Sequence, residues 1–175
     1  MKQFLSILFL SILFVGCQEK QNNASNEAFE KNSKTVLANL EGWQHENLDY
    51  SNYAENFVMR ETGVNGKDSL SLSEVKQNDK ELWKNYDFKL LTNPIVLLPG
   101  VNVDTKKPDG SVRYYGDWEV TVPATDSTEA RSAVLKYYES FDFDANGKIV
   151  FQQGYGDFGG LMMQLHGNDA DEMEQ

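Results

Sequence analysis

The chain has one cysteine, Cys17, and two histidines, His45 and His166. One thiol cannot form an internal disulfide, so the fold rests on packing alone. No cysteine or histidine pair has zinc spacing. No glycine-rich loop is built to cradle phosphate, and no serine or cysteine stands in a nucleophile arrangement. Basic residues are also scarce, 16 against 27 acidic ones, for a net charge of -11. Such a surface repels a phosphate backbone, and no basic stripe offsets it, so nucleic acid is not an expected partner. Internal repeats are absent. No apolar run reaches the roughly 20 residues that a membrane-spanning helix needs.

What is present begins at the amino terminus. Lys2 precedes the apolar run Phe4–Val15, and Gly16-Cys17 follows directly. A short basic start, a run of this length and a small residue before the cut make a secretory signal. Cysteine immediately after that small residue resembles a bacterial lipoprotein signal peptide. That resemblance implies removal of residues 1–16, lipid (palmitate included) on Cys17 and attachment to a membrane. The alternative is an ordinary signal peptide or uncleaved anchor with an incidental cysteine. Loss of Lys2 leaves a net charge of about -12, so the lipid, not the protein surface, would hold the bilayer. The expected location is the bacterial cell envelope. Gln18, where an inner-membrane retention signal is often aspartate, favours the outer membrane.

Residues 17–33 are polar and read as a flexible tether. Residues 34–167 have the length of one domain, and 168–175 form an acidic tail. Within the domain, Val36, Leu37, Leu40 and Trp43 lie at helical spacing. Asp49 reads as the cap of a short second helix, with Leu48 and Tyr53 at the positions of a hydrophobic staple. Ser71-Leu72-Ser73-Glu74 is a capping box. Leu72, Val75, Leu82, Trp83 and Tyr86 form one stripe of the helix that follows, with Lys76, Asp79, Lys80 and Lys84 largely off it. After Asp87 the period changes to that of strands: 88–91, 95–103, 112–122, 130–143 and 148–158, with a short strand at 57–61. Turn residues such as Asp144-Ala145-Asn146-Gly147 separate them. Helices followed by a run of antiparallel strands mean α+β, a curved antiparallel sheet on about three helices that encloses a pocket.

Three stretches carry a resemblance. They are Trp43 through Phe57, Val112-Arg113-Tyr114-Tyr115-Gly116-Asp117-Trp118-Glu119-Val120, and Gly147 through Leu165 with Gly154-Tyr155-Gly156-Asp157 inside it. Together they are similar to the nuclear transport factor 2-like superfamily, in its SnoaL-like branch. The resemblance implies a cone-shaped α+β barrel and a cofactor-free pocket. It also implies pairing of two copies through the outer sheet face. Members include cyclases, isomerases, dehydratases, epoxide hydrolases and binding domains, so the fold does not name an activity.

Asp157 matches the acid on the branch's closing strand, which makes it the candidate catalytic residue, with desolvation tuning it for proton transfer. The competing reading makes it the cap of the Phe158-Gly159-Gly160 turn. Tyr155 alternates onto its face of the strand. Tyr53, Trp83, Trp118, Tyr137, Tyr155 and Asp157 are the candidate lining of an apolar ligand pocket. The chain departs from the SnoaL-type pattern in two places. The strand 130–143 has no histidine, and Gln152-Gln153 stands where members often show His-Trp. His45 lies in the first helix and His166 near the tail. Asp142-Phe143-Asp144-Ala145-Asn146-Gly147 starts like a calcium loop, but Gln153 replaces the bidentate glutamate and Asn-Gly is a hairpin signal. Two functions therefore stand: a module binding a small apolar ligand or a protein partner, and a cofactor-independent enzyme using Asp157 with Tyr53 or Tyr137.

Overall fold

The computed structural model describes residues 2–167, with side chains from residue 23 onward. The Cys17 side chain and the tail 168–175 lie outside the described residues. The first helix, α1, is Lys2–Gln44. Its core-facing stripe reads Phe29, Asn32, Val36, Leu40, Trp43, a spacing of three and four residues that keeps one face inward. Val36 is fully buried and Leu40 nearly so. Burial of each such side chain contributes roughly 1.5–3 kcal/mol.

The tether expectation fails over residues 23–33, which are helical. Asn32 and Ser33 are buried, and Asn32 Nδ2 donates to the carbonyl of Gly110 at 2.8 Å. Polar composition concealed the stripe because its members here are Phe29 and Asn32, a small polar residue that meets backbone. After α1, Asp49 caps a 3-10 turn, Tyr50–Asn52, by accepting from the Ser51 N–H.

Strand β1, Tyr53–Arg60, leads through a loop to the two-residue β2, Leu70–Ser71. The expected capping box then starts α2, Leu72–Asn85. Strands β3 (Asp87–Leu90), β4 (Val96–Val101), β5 (Pro108–Val122), β6 (Arg131–Phe143) and β7 (Ile149–Tyr155) follow, and α3, Phe158–His166, closes the fold. The sheet order is β2-β1-β7-β6-β5-β3, with β4 also on β5. The long β5 serves both edge partners, β4 along its first half and β3 along its second.

The sheet is mixed, where an antiparallel run was expected. β1 joins the free edge of β7 in parallel, pairing Tyr53 with Ile149 and Arg60 with Gln153. The first strand enters from the far end of the chain, so the direction of its neighbours in sequence does not fix its own. The closing segment is also a true helix, because β7 stops at Tyr155 and the chain turns through Gly156 and Asp157 into α3. The three helices and the curved open sheet wrap one core, with Tyr114, Phe141 and Ile149 fully buried at its base.

Candidate functional site

Alternation along β6 decides the site. Ala133, Leu135, Tyr137, Glu139 and Phe141 point to the concave face, and all but Tyr137 are classed as buried. Glu139 is only 5% exposed. Gln152 on the neighbouring β7 shares this face and donates through Nε2 to Glu139 Oε1 at 2.6 Å. The Tyr137 hydroxyl donates to the same oxygen at 3.2 Å. Gln152 Oε1 is buried with no partner in the protein.

Opposite, α2 presents Asp79, only 6% exposed. It was expected off the apolar stripe, but it follows Val75 by four residues and therefore shares its face. Tyr50 donates its hydroxyl to Asp79 Oδ2 at 2.7 Å. Asn39 of α1 donates through Nδ2 to the Tyr53 hydroxyl at 2.6 Å, so that hydroxyl keeps its own proton to give.

All of these polar groups except Tyr50 line a cavity of about 560 Å³, within the usual size range for small-molecule sites. Its apolar wall includes Leu40, Trp43, Trp118, Val120 and Leu135. The loop Glu61–Gly66 also lines it, and because its residues 63–66 are exposed the cavity opens there. Trp43 forms edge contacts with Trp83, Phe88 and Trp118, at centroid distances of 5.6, 4.3 and 6.1 Å. Such pairs hold the wall rigid.

Burial raises both carboxyls. Glu139 is pushed up to about 7 by desolvation, against the opposing hydrogen bonds from Gln152 and Tyr137. Asp79 is pushed up to about 6 for the same reason, opposed by Tyr50 and the Trp43 indole. The charge of Asp79 also pushes Glu139 upward. Near neutral pH the cavity thus offers carboxyls in both protonation states. Burial also pushes the Tyr53 and Tyr137 hydroxyls well above their ordinary range, so both remain donors.

Of the residues nominated from sequence, Tyr53, Trp118 and Tyr137 line the cavity and Trp83 supports its wall from behind. Tyr155 and Asp157 do not reach it. Tyr155 is 47% exposed on the outer sheet face, in ring contact with Tyr138. Asp157 is the exposed N-cap of α3, and its Oδ1 accepts from the Gly160 N–H at 2.9 Å. The strand ends two residues before it, so strand alternation no longer aims its side chain inward. His45 lies exposed just past α1, and His166 pairs with the Tyr86 hydroxyl at 2.9 Å. The calcium-like stretch is a hairpin turn in which Asp144 Oδ1 accepts from the Asn146 and Lys148 N–H groups. No group of three or more potential metal ligands occurs among the described residues.

Glu139, Asp79 and Gln152 were missed from the sequence. Their signal was present. Glu139 alternates with Leu135 and Tyr137, and Asp79 sits one helical turn from Val75.

No protein-family profile matches the sequence, and no curated protein is significantly similar to it. Solved structures are similar in shape. A protein provisionally described as a polyketide cyclase from Xanthomonas campestris aligns with a TM-score of 0.61 and 16% identity, over 79% of this chain and 98% of that one. An LEH-like epoxide hydrolase of M. tuberculosis aligns at 0.54 and 14%, over 83% and 98%. An NTF2-like protein of Burkholderia thailandensis aligns at 0.55 and 16%, over 77% and 96%. The chain shares the α+β cone fold of these SnoaL-like and NTF2-like structures.

Proposed function

We propose that this is a membrane-anchored domain, tied to the bacterial envelope through lipid on Cys17. Its cavity binds a small, mainly apolar molecule bearing a polar group. The observation that carries the binding reading is the cavity itself: an aromatic and aliphatic wall converging on Glu139, Asp79 and the unpaired Gln152 Oε1. The wall supplies affinity and the polar floor fixes orientation. A hydroxyl or amide N–H on the ligand would satisfy Gln152 and pair with the carboxylate fraction of Glu139. Thermal shift and native mass spectrometry across a panel of hydroxylated apolar metabolites test this. A stabilising ligand whose effect falls in Leu135→Trp is the expected result. No binder across the panel, with the domain folded, contradicts it.

The carboxyls favour a second reading, a cofactor-independent isomerase, dehydratase or cyclase. Glu139, raised to about 7, suits proton abstraction at neutral pH, and Asp79 or the Tyr53 hydroxyl suits the returning proton. The neighbours described as a cyclase and an epoxide hydrolase are consistent with such chemistry on this fold. In this reading the catalytic role moves from Asp157 to Glu139. Glu139→Gln should then remove turnover by about 10²–10⁴-fold while the protein stays folded.

Pairing of two copies remains part of the proposal. The outer face carries Tyr115, Tyr138 and Tyr155 in one cross-strand row, with Tyr115 and Tyr155 about half exposed. Sedimentation equilibrium of the soluble domain reads the result directly.

A further inference from the structure

The domain has two unlike ends. At one, the β6–β7 turn, the start of β5 and the start of β1 converge. At the other lie the cavity mouth, the end of β7 and α3. α1 is fastened at the first end. Asn32 donates to Gly110, Lys31 Nζ donates to the Asn146 carbonyl at 3.3 Å, and Ala28 packs so closely on Gly110 that a Cβ there would lie 2.7 Å from it. Gly110 has a φ of 85°, so glycine is needed there twice over, for that backbone conformation near the start of β5 and for the close approach of the helix. From this end α1 crosses toward the other, where Gln44 Oε1 accepts from the Leu90 N–H at 2.6 Å.

The mouth lies along the strands from the fastening. β1 leaves the turn end at Tyr53, beside Ile149, and reaches Arg60 and the mouth loop seven residues later. A register shift shortens that advance: alongside β7 it runs only from Ile149 to Gln153, four residues or about 13 Å at the strand rise. Thr62 Oγ1 then donates to the Gly154 carbonyl, pinning the loop to the far end of β7. Val64, 97% exposed, forms the lip.

We infer that residues 23–33 are a stalk rather than a tether, and that they hold the cavity mouth on the side of the domain away from the membrane. The inference rests on the lipid anchor at Cys17 proposed above. Asn23 lies only six positions after Cys17, a reach of at most about 20 Å even if fully extended. A free leash of sixteen residues would reach about 50 Å and let either end touch the bilayer. The short, docked version keeps the turn end nearest the lipid. Ligand would then enter the cavity from the aqueous compartment, not from the acyl phase.

Cys17 is the only cysteine, so lipid on its thiol leaves the full chain without a reactive thiol. Ala145→Cys places a single label at the turn end, and Val64→Cys places one at the lip. Both positions are exposed. Each lipidated, labelled chain is bound to vesicles containing an acceptor-labelled lipid, and energy transfer is measured. We expect transfer from position 145 to be at least about twofold more efficient than from position 64. Equal or reversed efficiencies on vesicle-bound protein overturn the orientation while leaving the anchor standing. Labelling of the wild-type chain itself would show a free Cys17 thiol and sink the anchor, and the orientation with it. Hydrogen exchange on the same sample reads the stalk separately: amides of 24–33 should exchange about a hundredfold or more slower than free chain. Exchange at the free rate there overturns the stalk.

Discussion

Two kinds of carboxylate occupy this molecule, and their contrast explains most of the site. Asp49, Asp144 and Asp157 sit at chain turns and accept backbone N–H groups. Those bonds hold Asp144 below the usual carboxylate range, and Asp49 is lowered chiefly by its bonds to Ser51. Glu139 and Asp79 instead face an apolar cavity, and burial drives them upward. The same functional group is a structural pin in one place and a titrating group in the other. Desolvation, not residue type, makes the difference.

The sharpest way to break this contrast is pH. A carboxyl raised in the folded state binds more protons folded than unfolded. Its contribution therefore favours folding at low pH and is lost as pH rises from the ordinary carboxylate range through the raised value. For Glu139 the window runs from about 4.5 to 7, and at 1.36 kcal/mol per pH unit the loss is on the order of 3 kcal/mol. Glu139→Gln abolishes that loss. Urea unfolding should show the variant close to wild type at pH 4 and about 3 kcal/mol more stable at pH 8. A pH-independent gap would mean that Glu139 is not held neutral by burial.

A smaller effect tests the other class. Asp157→Ala removes the α3 cap and should cost about 1 kcal/mol of stability, as N-cap losses typically do. The melting temperature should drop by a few degrees, with ligand affinity or turnover unchanged. Loss of either function at unchanged stability would return Asp157 to the site.

The smallest effect lies between the two. Tyr50→Phe removes the hydroxyl that donates to Asp79. That bond favours the charged carboxylate, so Asp79 should titrate still higher, within a net cost of about 0.5–1.5 kcal/mol. Carboxyl chemical shifts followed through pH 4–9 would show it. A downward shift would contradict the role given to Tyr50.

Local pattern made much of the fold legible. The capping box at Ser71 and Glu74, the Asp49 cap and the Asn-Gly turn need only neighbouring residues, and they stand where the pattern put them; the first strand instead begins at Tyr53, directly after a three-residue turn, and the last ends at Tyr155. Even the cap reading of Asp157 was available from Phe158-Gly159-Gly160. The aromatic nominations divided by face. Tyr53, Trp118 and Tyr137 lie on the concave side, whereas Tyr155 lies on the convex one. Strand period tells which residues share a face, but not which face is concave.

The sequence by itself determined the local structure: caps, turns, helix and strand tracts, an acidic surface, and a single thiol placed behind an apolar run. Tertiary structure alone decided three things. It placed β1 parallel beside β7, a pairing between segments far apart in the chain. It docked residues 23–33 on Gly110 and the β6–β7 turn, where Asn32 and Lys31 meet backbone carbonyls that no periodicity announces. It also brought Asp79 and Glu139, from a helix and a strand, to one mainly apolar cavity. The reason is common to all three. Desolvation and long-range pairing depend on what lies across the core, and that is set only when distant segments close around it.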